Sequence, residues 1–192
     1  DYGDTEGLEK MFKKYKGRVA AVIMEPVIGQ RGKYFYKATK SGQKKIRKPI
    51  KECEQVKTLK FIKNLAKKNG SLFILDECIS GFRFDVGGAQ DFFGVLPDLS
   101  IFGKGITNGL PLGILGGKKK YMKHFDKVFL SSTYAPEALT LSAAIENLKI
   151  YKKNNVIDQL WSKGEYIDKN FTKIINKHNL SKNVSLAGYP VR

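Results

Sequence analysis

Two apolar runs, each of strand length, constrain the fold of this chain more than anything else in it. Arg18 to Glu25 reads RVAAVIME and Leu72 to Leu75 reads LFIL. A strand with one wet face alternates apolar and polar residues, so an almost unbroken run predicts a strand buried on both faces, the habit of parallel sheets. From Pro49 to Asn69, Val56, Leu59, Phe61, Ile62 and Leu65 fall at helical spacing and Gly70 ends the pattern. Strand, helix, strand is the crossover unit that parallel pairing requires, and an α/β sheet is therefore expected. Leu8, Met11, Phe12 and Tyr15 predict a further amphipathic helix over Glu6 to Tyr15, ended by Gly17. Short strands are expected at Asp98 to Phe102, Leu112 to Leu115 and Val128 to Leu130, and helices over Pro136 to Tyr151 and Val156 to Asn176. A chain of 192 residues holds one real core rather than two complete domains.

Composition excludes several classes of function. No apolar run approaches the roughly 20 residues of a membrane-spanning helix, so no membrane partner is expected. Asp1 to Thr5 lack the basic-then-apolar order of a signal peptide, and the cytoplasm is the simplest expectation. Cys53 and Cys78 have no metal-ligand spacing and cannot form a disulfide framework, so no metal is expected. The net charge of +17 rests on 30 lysines against 5 arginines spread along the chain. Lysine surfaces bind polyanions weakly and in a salt-sensitive way, and no zinc spacing or RNA-binding signature accompanies them. A basic nucleic-acid or polyanion module without catalysis is the alternative function to be weighed. The chain opens just before a helix and closes on the apolar segment Ser185 to Arg192, so more protein is expected on both sides.

Two segments carry chemistry. Leu75 to Arg83, LDECISGFR, puts Asp76 and Glu77 at the C-terminal end of a strand, where open α/β sheets hold their ligands, although both carboxylates could equally cap the segment after the strand. Pro97 to Gly113, PDLSIFGKGITNGLPLG, places Lys104 between two glycines after another strand. Close approach to a ligand and a desolvated amine would suit a nucleophile, while a lysine between glycines also suits a surface turn. The absence of GxxxxGK[ST] argues against a nucleotide-binding loop.

Together, DECISGFR and GGAQDFFGVLPDLSIFGKGITNGLPLGILGG resemble the core of the class III pyridoxal-phosphate aminotransferases, and are most similar to the glutamate-1-semialdehyde aminomutase branch. The likeness reaches upstream to AAVIMEPVIG and downstream to Ser132-Thr133, covering most of residues 18 to 150. It implies the fold type I, aspartate aminotransferase-like architecture: a mostly parallel sheet with flanking helices, here a portion of the large domain. Residues 1–152 would belong to that domain, and 153–192 to a connecting helix and the start of a small C-terminal domain. It implies pyridoxal 5'-phosphate as cofactor, Lys104 as its Schiff-base lysine and proton shuttle, and Asp76 as partner of the pyridine nitrogen. Cys78 stands where the family usually has a valine against the ring face. Thr133 matches a threonine that reaches the cofactor phosphate of a neighbouring subunit, which implies a homodimer with shared sites. Glu25 would support the site from behind or serve as a strand-end carboxylate. Small amino donors and acceptors are the implied substrates. This chain has Ile79 where many relatives carry glutamine and Gln30 where they carry glutamate, so mutase, transaminase and amino-sugar aminotransferase all stay open. The segment from Arg31 to Lys51 is longer and more basic than the usual connection. The family's N-terminal part, with its Ser-Gly phosphate loop and ring-stacking aromatic, is not in this sequence.

Overall fold

Four strands form one sheet, and their order reflects the crossover pattern of the sequence. The structure, a computed structural model, describes residues 3–27, 36–41, 44–49, 53–129 and 137–191. Along the chain run α1 (Thr5–Lys14), β1 (Ala21–Met24), β2 (Tyr36–Ser41), β3 (Lys44–Pro49), α2 (Glu54–Lys68) and β4 (Leu72–Glu77). Then come α3 (Ala89–Phe93), β5 (Leu99–Phe102), β6 (Ile114–Gly117), α4 (Lys119–Met122), α5 (Ala138–Asn154) and α6 (Val156–Lys177). The sheet order is β1-β4-β5-β6, with β1, β4 and β5 parallel and β6 antiparallel at the edge. The expected α/β class and mostly parallel sheet are therefore present.

Period decides what is buried. In α2, Val56, Leu59, Ile62 and Ala66 recur at helical spacing and are buried, in one core cluster with Phe73 and Leu75 of β4. Burial of a residue such as Leu59 contributes roughly 2 kcal/mol. The same core holds an aromatic group in which Phe84, Phe92, Phe93, Trp161 and Tyr189 meet with ring centroids 5.0–6.2 Å apart. Trp161 also donates its indole N–H to Phe84 O at 3.1 Å. This group ties α6 and the segment around Tyr189 to the loop after β4.

Two sequence expectations need correction, and one element was not foreseen. The strands are covered on one face only among the described residues: burial alternates along β4, and Ile23 of β1 is 58 % exposed. The apolar runs are those of a two-faced strand, but α2 packs on one side alone. Val128 and Phe129 do not form a strand; no neighbour pairs with them among the described residues, and Phe129 is 95 % exposed. Leu130 lies outside the described residues. The long basic connection contains a hairpin, β2 with β3, that lysine-rich sequence concealed.

That hairpin is pinned by Arg47. Its largely buried guanidinium pairs with Asp158 and, at 2.7 Å and 3.1 Å, with both oxygens of Glu165. It also lies 5.6 Å from the centre of the Trp161 ring. Arg47→Gln is expected to lower stability by about 1–3 kcal/mol, because it removes the charged fork that pairs with two half-buried carboxylates. The shift of the urea midpoint measures it.

Candidate active site

The C-terminal ends of three parallel strands converge on one place. β1 is followed by Glu25, β4 carries Asp76, and β5 leads through Gly103 to Lys104. Register puts Asp76 opposite Ile101 on the neighbouring strand, so Asp76 and Lys104 stand at adjacent strand ends. The glycines permit tight stacking of these loops. A β-carbon on Gly103 would lie 3.4 Å from Cys78 Sγ, and one on Gly105 would lie 3.4 Å from Gly81 O.

Lys104 is held in an uncommon backbone state. Its φ is +41°, in the left-handed region, although glycines sit on either side of it. A surface turn would normally give that position to glycine, and a side chain there costs of order 1–3 kcal/mol. The surroundings enforce it: Lys104 opens a 3-10 turn running to Ile106, and Asn147 of α5 donates to Gly105 O at 2.8 Å and Ile106 O at 2.9 Å. Phe82 and Asn108, nearby in the same loops, also have positive φ, at +61° and +52°. Asparagine tolerates that state readily, whereas phenylalanine and lysine hold it only where their surroundings impose it. Lys104 itself is exposed, so these residues do not supply the desolvation expected for its amine.

Around Cys78 the expected site residues come together. Asp76 Oδ1 accepts from the Cys78 backbone N–H at 2.9 Å. Burial pushes the Cys78 thiol up, its hydrogen bond to Asp76 and the charges of Asp76 and Glu25 act the same way, and the Lys104 amine opposes them. One half-buried thiol thus feels Asp76, Lys104 and Glu25 at once. Thr133 lies outside the described residues, as do Ser132 and Gln30.

Glu77 has a different task from Asp76. It is completely buried and accepts from Ser80 Oγ at 2.7 Å, Ala89 N at 2.8 Å and Gln90 N at 2.7 Å. It therefore caps α3 from across the loop and ties residues 78–88 to the end of β4, whereas Asp76 caps the segment only at the Cys78 N–H. Gln90 extends the network by accepting from Ser100 Oγ at 2.9 Å on β5. Gly88, at φ +87°, makes room: a β-carbon there would sit 2.7 Å from Glu77 Oε1. Burial pushes the Glu77 carboxyl up, and its three hydrogen bonds oppose this. Sequence reasoning missed Asn147, Gln90 and Ser100; the one local signal was an amide in the middle of the apolar pattern of α5.

Comparison with known proteins gives the family and the fold. The chain is 33% identical over 190 residues to the glutamate-1-semialdehyde 2,1-aminomutase of Natranaerobius thermophilus, a match covering 97% of this chain and 40% of that protein. With the aminomutase of Chlorobaculum parvum it shares 34% identity over 183 residues, 94% of this chain and 38% of the other. The chain thus spans about 40% of the length of these relatives. Among solved structures, the PLP internal aldimine form of the Sphingopyxis sp. MTA144 FumI protein superposes with a TM-score of 0.75 at 23% identity, over 93% of this chain and 39% of that one. An S-selective transaminase from Arthrobacter sp. gives 0.67 at 26% identity, over 90% of this chain and 34% of the other. The family model for aminotransferase class-III matches residues 51–189, from before α2 to the aromatic core around Tyr189, and the chain belongs to that family.

Proposed function

We propose that this chain is the lysine-bearing part of a pyridoxal-phosphate enzyme that transfers an amino group, between two molecules or within one. The observation that carries the reading is the left-handed Lys104 at the strand end beside Asp76, with Cys78 between them. The donor set fits the cofactor: an amine for its aldehyde, a carboxylate for its pyridinium nitrogen, and a neutral, half-buried thiol for its ring face. Bound there, pyridoxal phosphate supplies an electron sink for negative charge developed at the substrate's α-carbon.

Each residue has a defined part. Lys104 Nζ would hold the cofactor covalently and, once a substrate amine takes its place, would carry the proton between carbon centres. Asp76 would keep the ring nitrogen protonated, and its bond from the Cys78 N–H fixes the direction of the carboxylate. Asn147 and the two flanking glycines hold the Lys104 turn in place, and Glu25 adds negative charge behind the site.

The aminomutase relatives favour an intramolecular transfer of the glutamate-1-semialdehyde type, with transamination between small amino donors and acceptors as the neighbouring activity. A homodimer in which Thr133 reaches the partner's cofactor, a cytoplasmic location, and the division into a large-domain part (1–152) and a connecting helix with the start of a small domain (153–192) belong to the same reading. No specific nucleic acid enters it, and no helix among the described residues is long and apolar enough to cross a membrane. A basic polyanion module is not favoured, since the family match runs through 51–189 and lysine charge alone carries no specificity.

The test is titration of the full-length protein with pyridoxal phosphate. Stoichiometric uptake with a new near-visible absorbance is expected, weakened by Asp76→Asn. Failure to take up the cofactor would overturn the proposal.

A further inference from the structure

The cleft beside Lys104 has a volume of about 610 Å³, and its lining includes Arg83, Asn108, Leu110 and Pro111 but no carboxylate among the described residues. The two charged side chains among the described lining residues, Arg83 and Lys104, are both cations. A concave surface of one sign concentrates ligands of the other, so an anion is the expected visitor.

Arg83 is prepared for one. Its Nη1 donates to Val191 O at 3.3 Å, and no carboxylate pairs with it among the described residues. Arg47 shows what a structural guanidinium looks like in this molecule: it pairs with two carboxylates and a serine hydroxyl. Among the described residues Arg83 instead leaves most of its donor fork unused. The preceding residue, Phe82, is buried at φ +61°, with its ring 5.7 Å from that of Phe102 and 5.8 Å from that of Tyr151. A bulky residue in that backbone state anchors the turn and sends Arg83 out into the cleft. Tyr151 reports the charge: burial pushes its hydroxyl up, and Arg83 opposes the shift.

We infer that Arg83 recognises the carboxylate of the substrate whose amine or carbonyl reacts at Lys104, an inference that rests on the proposed role of that lysine. A guanidinium matches a carboxylate through two parallel hydrogen bonds. Leu110, Pro111 and Leu112 line the same cleft and suit a short aliphatic chain between the anionic end and the reacting end.

The experiment uses the full-length protein loaded with pyridoxal phosphate, with glutarate as an unreactive probe measured by calorimetry. Wild type is expected to bind glutarate; Arg83→Gln should weaken it by about tenfold or more and Arg83→Lys should recover part, because a lysine keeps the charge but not the fork. Cofactor uptake should be unchanged in both variants. Absence of glutarate binding by wild type, or equal binding by Arg83→Gln, would overturn the inference. So would loss of cofactor with glutarate binding retained, which would make the bound anion the cofactor phosphate. Arg83-dependent glutarate binding by a protein that takes up no cofactor would leave the anion site standing and remove the role of Lys104.

Discussion

Lys104→Ala is expected to lower amino transfer by the full-length protein by about three orders of magnitude or more, with the fold unchanged. The side chain is exposed, and alanine meets the same left-handed backbone constraint as lysine, so stability should move by no more than about 0.5 kcal/mol. Turnover and urea midpoint measured together separate loss of chemistry from loss of structure. Lys104→Arg sharpens the test. It keeps the positive charge, but a guanidinium stays protonated and cannot act as the nucleophile or proton carrier. Equal inactivity of both variants is expected; a largely active arginine variant would reduce Lys104 to a charge.

Glu77→Ala should be the most destabilising change near the site, at about 3–5 kcal/mol. Its removal leaves the Ser80 hydroxyl and the Ala89 and Gln90 N–H groups without their acceptor and opens a cavity under the loop that carries Cys78 and Arg83. Glu77→Gln keeps the volume and should cost only about 1–2 kcal/mol. The two variants also differ from wild type in pH dependence. Burial raises the folded-state carboxyl above its ordinary range. Within that window the folded chain holds a proton that the unfolded chain has lost, so this group's contribution to stability falls as pH rises through it. Thermal unfolding across mildly acidic to neutral pH should show that fall in wild type and a flatter profile in Glu77→Gln; parallel profiles would contradict the assignment.

Much of the scaffold was legible because burial imposes period. The helix over α2 could be read from Val56, Leu59 and Ile62, and the parallel pairing from two apolar runs separated by that helix. The long helices α5 and α6 were readable for the same reason. The β2–β3 hairpin was not, since lysines occupy the positions where an apolar alternation would announce a strand, and its anchor, Arg47, finds Glu165 across 118 positions of sequence. At the site, motif order singled out Asp76 and Lys104, but nothing local distinguishes the capping carboxylate Glu77 from its neighbour; only the fold brings Ala89 and Gln90 to it. The left-handed backbone of Lys104 was equally hidden, because flanking glycines suggested that they would absorb the turn.

The central claim is that Lys104 Nζ is the point of covalent attachment. The direct measurement is reduction of the full-length, cofactor-loaded protein with borohydride, then proteolysis and mass spectrometry. A stable pyridoxyl adduct confined to the peptide containing Lys104 is the predicted result. An adduct spread over several of the 30 lysines, or found on another one alone, would contradict it.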